Sequence, residues 1–309
     1  MIVGGSITKG FRDIRDKVSS GPLASVRAEP EIAGRATPSI ASLARVHLTY
    51  WWRHRRWLSI DPPHLFTELI QRRKLLDRDP RLPQLIDKLA VKRVVTDLLG
   101  TQWVTPTSWS GEILPDLPPC AVPFVVKSRH GCNQLRIVRD ATQDWNAVRR
   151  AAAMWMRRPY GAWLDEWGYR DVPRGLLIEP FVGDGPALPI DYKLYVFHGR
   201  VEAIQVHVDR ETRHRWVLFD RDWQGLSTDA DLFDSPPPSS LPLMIEGAEV
   251  LGSAFDFVRV DFYEVGAVPR FGEMTFYPGS GLDPFDPPEL DAVLGRHWYA
   301  CGHDLPISP

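Results

Sequence analysis

Apolar and polar residues alternate over much of the chain beyond residue 120, a pattern typical of β-strands with one face turned inward. Strands are predicted over 124–130, 134–138, 175–182, 191–199, 200–210 and 215–220, with a final pair within 258–281. Helical spacing of apolar residues predicts helices from Ile40 through the tryptophan-rich segment and over 64–77, 85–100, 142–157, 243–255 and 288–298. The pattern predicts an α+β protein with proline-rich connections at 101–119 and 235–242.

The final strand pair carries acidic residues on one predicted face. Alternation puts Asp261 on the same side as Arg259, and a turn near Gly266 brings Asp261 roughly opposite Glu273. Thr275 follows two residues later. Two carboxylates on one face of a hairpin suit a divalent cation that holds phosphate oxygens. A solvated hairpin with scattered acids is the alternative, and the spacing alone leaves both open.

Composition narrows the class of protein. The chain has 309 residues, 44% of them hydrophobic, and a formal net charge of −2, which gives no sign of nucleic-acid binding. It has no run of 18 apolar residues, and its start lacks the apolar core of a secretory signal. Three cysteines without metal spacing (Cys120, Cys132 and Cys301) predict free thiols in a reducing compartment. We therefore expect a cytoplasmic protein.

Positive charge concentrates near the N-terminus. Residues 1–60 hold ten Lys/Arg and four Asp/Glu, and HLTYWWRHRRW at 47–57 combines arginine with tryptophan. This segment could contact anionic lipid on the inner face of a membrane, or a polyanionic substrate. The simpler expectation is a basic helix whose tryptophans pack on the protein body. Residues 1–40 show no clear periodicity and predict a loosely ordered or partly docked arm.

Single residues elsewhere suggest a phosphate or nucleotide site without proving one. Lys127 ends a β-branched strand beside the turn 128–134, where it could hold phosphates or simply be a solvated strand-end lysine. Asp191 and Lys193 share one strand face, as a ribose and phosphate pair or as a surface ion pair. Arg210 could neutralise a phosphate or a substrate carboxylate, or face solvent.

Two backbone segments have similar alternatives. Glu179 to Val182 is a buried strand meeting a flexible break, whose backbone could pair with an adenine edge or belong only to the core. The sequence PGSG at 278–281 offers exposed amides for an anion, or forms an ordinary turn. The motifs GxSxG, HExxH and GxxxxGK[ST] do not occur, which argues against hydrolase-elbow, zincin and Walker-type chemistry.

The ordered set of these pieces resembles the ATP-grasp superfamily, and more narrowly its TupA-like family, named for teichuronopeptide biosynthesis. The resemblance covers roughly residues 62–287. It is carried, in chain order, by LLDRDPRLPQLIDKLAVKRVV, FVVKSRHG, DYKLYVFHGRVEAIQVHVDR, FVRVDFY and FGEMTFYPGSGLDPF. It implies two lobes whose antiparallel sheets grip ATP, plus a helical N-terminal region. The implied divisions are a basic arm and helix (1–60), a helical region (61–118), the first lobe (119–184) and the second lobe (185–309).

The resemblance also implies roles for individual residues. The residues implied to bind the nucleotide are Lys88, Lys127, Gly131, Glu179, Pro180, Phe181, Val182, Asp191 and Lys193. Among them Lys88 and Lys127 would face phosphate, Glu179 to Val182 would hold adenine, and Asp191 would hold ribose. The residues implied to act in the reaction are Lys127, Lys193 and Arg210. Asp261, Glu273 and Thr275 would bind Mg²⁺, and Gly279, Ser280, Gly281 and Arg210 would contact substrate.

The implied reaction is carboxylate–amine ligation, in which ATP and Mg²⁺ convert a carboxylate to an acylphosphate that an amine attacks. The expected acceptor is a uronic acid or amino-acid carboxylate of a bacterial surface polysaccharide or a related small molecule. Two departures stand out: Thr275 replaces the family's usual asparagine, and HGCNQ replaces the glycine-rich HGSGGN. Two other possibilities are an ATP-grasp kinase that phosphorylates a hydroxyl and a non-catalytic nucleotide-binding pseudo-ligase.

Overall fold

The computed structural model describes residues 37–183, 188–208, 215–230, 233 and 236–299. Most of the predicted N-terminal arm, Arg210 and Cys301 lie outside these residues, so the predictions made for them are not addressed by the structure. Cys120 and Cys132 are free thiols, as their spacing predicted.

Helices in the described residues fall close to the predicted positions. They are α1 (Ile40–His54), α2 (Phe66–Leu76), α3 (Leu82–Ile86), α4 (Val91–Leu99), α5 (Trp145–Arg157), α6 (Leu241–Gly252) and α7 (Glu289–Tyr299). Helix α1 begins where the Ser39 side chain accepts a hydrogen bond from the Ser42 amide. It ends at Arg55, whose backbone is left-handed.

The smaller sheet has four antiparallel strands in the order β1-β4-β2-β3. They are β1 (Trp109–Gly111), β2 (Phe124–Ser128), β3 (Leu135–Val138) and β4 (Leu176–Pro180). Helix α5 covers one face, where Val148 and Ala152 pack with Phe124 and Val126 in a separate core. Strand β1 lies inside 101–119, so the prediction of a plain connection there is wrong. Its three residues are too few to show a period, and pairing with β4 creates the strand.

The larger sheet has five antiparallel strands in the order β7-β6-β5-β8-β9. They are β5 (Asp191–Phe197), β6 (Arg200–Val208), β7 (Arg215–Asp220), β8 (Phe257–Val265) and β9 (Val268–Thr275). Val258, Val260 and Phe262 are buried in the main core, with Met244 and Ala248 of α6 in the same cluster. The opposite face of β8 is therefore free to carry the polar residues predicted for it.

The predicted helix over 85–100 is broken into α3 and α4. Asp87 causes the break, because its carboxylate accepts hydrogen bonds from the amides of Leu89 at 2.9 Å and Ala90 at 3.4 Å. Arg129, the first residue after β2, donates to the same carboxylate from its guanidinium. The break turns Lys88 toward that loop, where its amide donates to the Arg129 carbonyl at 3.2 Å.

The tryptophans of the basic segment do not pack on the body, so that expectation is wrong. Trp52 is 64% exposed, and Trp57, which follows the helix, is 72% exposed, while Tyr50 of α1 is buried. The helix uses its other face, on which Val46 and Tyr50 form a small core with Leu75. Periodicity could not show this, because α1 is apolar on both faces.

Candidate functional site

A cleft separates the two sheets. Lys127 and Glu179 line it from the smaller sheet, and Tyr263, Phe271 and Gly272 line it from the larger sheet. The segment from Glu179 to Val182, predicted to hold adenine and called the hinge below, closes one end. There Phe181 and Val182 lie beside Leu188 and Pro189. The cleft is therefore apolar at the hinge and charged further in, as a site for a base and its phosphates requires.

Part of the hinge backbone already forms hydrogen bonds within the fold. Glu179 and Pro180 are the last residues of β4, and Pro180 is exposed. The Phe181 amide donates to the Pro123 carbonyl at 3.1 Å, so that amide is not free to pair with a base. Phe181 and Val182 contribute their side chains to the cleft instead.

Glu179 is the acid of the smaller sheet and is held by two lysines. Lys127 Nζ donates to its Oε2 at 2.6 Å, and Lys92 forms a second ion pair. Burial acts to raise the pKa of Glu179, but these two cations lower it below its usual range. Lys92 also donates to Thr105 O and Thr107 Oγ1, each at 2.7 Å. Sequence reasoning missed Lys92, although it follows Lys88 by four residues.

The acidic pair lies on the larger sheet as predicted. Asp261 is the cross-strand partner of Glu273 in the β8–β9 register, and Arg259 is the partner of Thr275. Arg259 holds the Asp261 carboxylate with two hydrogen bonds of 2.8 Å. Lys193 Nζ bridges the same carboxylate and that of Asp191, at 2.6 Å each. Sequence reasoning noted that Arg259 shares this face but gave it no role.

Cations from the α3–α4 connection and from β8 flank Glu273. Lys88 Nζ lies 3.4 Å from its Oε2, and Arg259 Nη2 lies 3.6 Å from its Oε1. The Thr275 hydroxyl donates to Glu273 Oε1 at 3.0 Å. Burial acts to raise the pKa of Glu273, but Lys88, Lys193 and Arg259 lower it to about 2. Glu273 is therefore a carboxylate at any physiological pH.

The turn 128–134, which joins β2 and β3 of the smaller sheet, contacts Lys88. Lys88 Nζ donates to the Gly131 carbonyl at 2.9 Å, which ties the turn to the acidic pair. The Cys132 thiol lies 2.9 Å from the Tyr169 hydroxyl, and burial raises the pKa of this thiol. A Cβ at Gly131 would contact the end of the Gln134 side chain and the Tyr160 ring.

The segment 278–281 borders one cavity and packs against α2. Gly279 and Gly281 line a cavity of about 420 Å³ that also contains Arg259. Ser280 is buried toward α2, where its carbonyl accepts from Gln71 at 2.9 Å and from Lys74 at 3.1 Å. Ser280 has φ of 57° and sits in the left-handed region that rarely suits a residue with a side chain. The three predicted substrate residues therefore face different surroundings.

The acidic pair fits a magnesium ion. Within the described residues, no group of three or more His, Cys, Asp or Glu is arranged to hold a metal. Mg²⁺ commonly uses one or two protein carboxylates and completes its shell with water and substrate phosphate oxygens. Asp261, Glu273 and the Thr275 hydroxyl supply oxygen donors of that kind at neighbouring positions. The donor set therefore suits a metal that arrives with phosphate.

Comparison with known protein families gives one match that covers most of the chain. The TupA-like ATPgrasp family matches residues 68–299. The chain belongs to the TupA-like ATP-grasp family. The two antiparallel sheets that border the cleft are the two sheets of this fold. No curated protein matches the chain.

Solved structures similar to this TupA-like protein are ATP-grasp ligases. A D-alanine–D-alanine ligase from Bacillus anthracis has 14% identity and a TM-score of 0.44, covering 70% of this chain and 64% of the ligase. The ATP-grasp ligase PsnB has 12% identity and a TM-score of 0.42, covering 72% and 62%. An L-amino acid ligase from Bacillus licheniformis has 13% identity and a TM-score of 0.39, covering 62% and 44%. The matched region is less than two thirds of each of these chains.

None of the helices in the described part of this TupA-like protein combines the length and apolarity needed to cross a bilayer.

Proposed function

We propose that this protein is an ATP-dependent carboxylate–amine ligase that forms an acylphosphate and releases ADP and phosphate. The main support is the convergence of Lys88 with Glu273, at 3.4 Å. Lys88 lies between α3 and α4 and also donates to the Gly131 carbonyl in the turn of the smaller sheet, whereas Glu273 comes from the larger sheet. A site with cations and carboxylates from two sides suits phosphoryl transfer, which depends on positioning and charge neutralisation.

ATP would lie along the cleft with its base at Phe181 and Val182, and its phosphates toward Lys88, Lys127 and Lys193. Lys193 would leave part of its ion pairing with Asp261 to contact phosphate. Asp191 would receive the ribose hydroxyls, and Arg210 would add positive charge. Bound at Asp261, Glu273 and Thr275, Mg²⁺ would supply Lewis-acid neutralisation of the phosphate oxygens.

The acceptor carboxylate would occupy the cavity of about 420 Å³ beside the acidic pair. Arg259 lines this cavity, and a guanidinium binds a carboxylate oxygen in a fixed orientation. Gly279 and Gly281 bring bare backbone to the same wall. An oxygen of the acceptor would attack the γ-phosphate, and the amine would then displace phosphate from the acyl carbon. The turn 128–134 would exclude water from this intermediate.

For the acceptor we propose a uronic acid or an amino-acid carboxylate of a bacterial surface polysaccharide or its precursor. The exposed residues at the end of α1 and just after it support the proposal of an anionic partner. Arg55 lies over the Trp51 ring at 5.7 Å, and Trp52 and Trp57 are exposed beside it. Such a face suits sugar rings that carry carboxylates, and it would also rest on the anionic inner surface of a membrane. We therefore propose a cytoplasmic enzyme with peripheral membrane contact.

A phosphate-release screen of carboxylates against amines tests the proposed reaction, with Glu273→Ala as the blank. Hydroxylamine serves as a general amine, because it traps an acylphosphate as a hydroxamate. We expect hydroxamate with at least one carboxylate, only when ATP and Mg²⁺ are present. Phosphorylation of a hydroxyl without any amine would identify the kinase alternative. Nucleotide binding without turnover of any carboxylate would identify the pseudo-ligase, for which Thr275 and the glycine-poor turn are the supporting features.

A further inference from the structure

A second large cavity lies outside the cleft described above. It has a volume of about 450 Å³, which is enough for a small metabolite. Its walls come from residues 37–42 at the start of α1, from α2 and the residue after it, from the turn that holds His130 and from the segment 159–174. None of the residues predicted to bind ATP or Mg²⁺ lines it.

Two oppositely charged side chains are buried in the wall of this cavity. Lys74 is 2% exposed and Glu166 is 5% exposed, and both border the cavity. Ser280 links them: Lys74 Nζ donates to Ser280 Oγ at 3.0 Å, and the Ser280 hydroxyl bonds to the Glu166 carboxylate. Gln71 Oε1 accepts another hydrogen bond from Lys74 Nζ at 2.8 Å. Lys74 is therefore held by neutral oxygens rather than by a direct carboxylate contact.

Burying an acid and a base in this way costs stability, so structure alone gives little reason for it. Burial raises the pKa of Glu166 to about 7, and burial lowers the pKa of Lys74 to about 8. Carboxyl groups shifted toward neutrality are frequent at sites of proton transfer. Of the other charged residues that line the cavity, Asp165 accepts two hydrogen bonds from Arg45, and Arg78 donates to the Asp77 carbonyl.

The cavity adjoins the proposed reaction centre at two points. Ser280 lies between Gly279 and Gly281, which line the cavity of Arg259. Tyr169 lines the new cavity while its hydroxyl contacts Cys132, in the turn that Lys88 ties to Glu273. One segment, 278–281, thus contacts the walls of both cavities, and Tyr169 connects the new cavity to the turn beside Glu273.

We propose that this cavity binds the amine co-substrate, an amino acid whose ammonium meets Glu166 and whose carboxylate meets Arg170 and Arg174 at the rim. This rests on the ligase function proposed above and names the class of amine. The two arginines line the cavity and are exposed, so they remain accessible to an entering anion. The acid inside the cavity is complementary in charge to the ammonium of an amino acid, and the arginines at the rim are complementary to its carboxylate.

Glu166 also has a role in the reaction. It takes one proton from the ammonium and leaves a neutral amine whose lone pair attacks the acylphosphate carbon. The new C–N bond forms as the C–O bond to phosphate breaks. The second nitrogen proton leaves with the phosphate as hydrogen phosphate, which yields the neutral amide. Lys74, acting through Ser280, positions the Glu166 carboxylate.

Calorimetric titration tests the binding claim directly. Each of the twenty L-amino acids is titrated into the full chain with AMP-PNP and Mg²⁺ present. We expect at least one to bind, with affinity at least tenfold weaker in Glu166→Gln and in Arg174→Ala, and unchanged in Asp116→Asn. Asp116 is an exposed acid that pairs with Arg149, and neither residue lines the cavity. Binding of none of the twenty, or binding that neither variant weakens, would overturn the proposal.

A kinetic test separates this proposal from the ligase function itself. Hydroxylamine is largely unprotonated at neutral pH and needs no base, so Glu166→Gln should retain hydroxamate formation within about twofold. With the amino acid that binds, the same variant should lose at least about 100-fold in amide formation. Equal loss with both nucleophiles would refute the base role. Absence of hydroxamate in the wild-type protein would instead count against the ligase function, and the titration would still decide whether the cavity binds amino acids.

Glu166→Gln keeps the volume of the side chain and its bond to Ser280, so we expect it to fold. Circular dichroism and thermal unfolding establish this. Because Arg174 is exposed, Arg174→Ala provides a test that does not depend on the buried pair. Its expected effect is weaker binding of the amino acid and unchanged binding of the corresponding amino-acid amide, which lacks the carboxylate.

Discussion

Asp261 and Glu273 face each other across β8 and β9, and the strand register shifts immediately beyond them. Gly272 is the residue left unpaired by this shift, and a side chain there would lie 3.1 Å from the Asp261 carbonyl. A bulge of this kind re-aims the side chains next to it. The pair therefore shares one face of the sheet with Arg259 and Thr275, although β9 changes its alternation at this point.

The first prediction concerns the acidic pair. Glu273→Gln and Asp261→Asn should each lower ATP turnover by at least about 100-fold, because metal neutralisation of phosphate is worth several kcal/mol. Steady-state phosphate release over a range of Mg²⁺ concentrations measures this. Glu202→Gln is the control, since Glu202 pairs with Arg200 on the same sheet away from the cleft. Turnover that survives in both acidic variants would contradict the assignment.

The second prediction concerns Arg259, which makes two 2.8 Å bonds to Asp261 and lines the acceptor cavity. Arg259→Lys keeps the charge but cannot reproduce the paired geometry. A lost hydrogen bond to a charged group costs about 1.5–3 kcal/mol, which corresponds to roughly 10- to 100-fold in kcat/KM for the carboxylate. Initial-rate kinetics are measured with each substrate varied in turn. KM for ATP should change less than kcat/KM for the carboxylate. An effect confined to ATP would place Arg259 on the nucleotide side only.

The third prediction is a pH dependence of stability due to Glu179. Its pKa is lowered in the folded protein, so its ionised form stabilises the fold above its unfolded pKa, and this contribution is lost as pH falls from that value through the lower folded pKa. Glu179→Gln should destabilise the protein at pH 7 by roughly 2–3 kcal/mol, somewhat below the cost of breaking a fully buried pair, because Lys127 is partly exposed.

Urea unfolding at pH 7 and pH 4 measures this effect. The difference between wild type and Glu179→Gln should shrink at the lower pH, where the wild-type carboxyl loses its advantage. Glu202→Gln again serves as a control with little expected change. A difference that stays constant between the two pH values would show that the loss is due to packing and not to ionisation.

The fourth prediction concerns the exposed face of α1. Arg55→Ala with Trp52→Ala should raise KM for an anionic glycan acceptor at least about threefold and leave KM for ATP unchanged, because both side chains are exposed and far from the cleft lining. Arg53 and Arg56 are unsuitable targets, since Arg53 donates to the Leu282 carbonyl and Arg56 pairs with Asp291. Sedimentation with anionic vesicles tests the membrane alternative with the same variants. No change in either assay would exclude a role for this face.

Much of the fold and of the proposed site follows from the sequence. Strand alternation placed β5 to β9, and it placed Asp261 opposite Glu273, because a hairpin fixes its own register through its turn. Two turn residues at positive φ, Gly266 and Ala267, close that hairpin. The order of motifs also implied the family, which the match over residues 68–299 confirms.

Tertiary contacts decided the rest. The helix break at Asp87 depends on Arg129, and the pairing of Lys92 with Glu179 joins residues 87 positions apart. The chain alone also does not reveal the Lys74–Ser280–Glu166 cluster, since its members come from three distant segments. Local patterns determine which residues share a strand or helix face. Only the packing of those faces determines which charges are buried together, because burial depends on neighbours that the sequence places far apart.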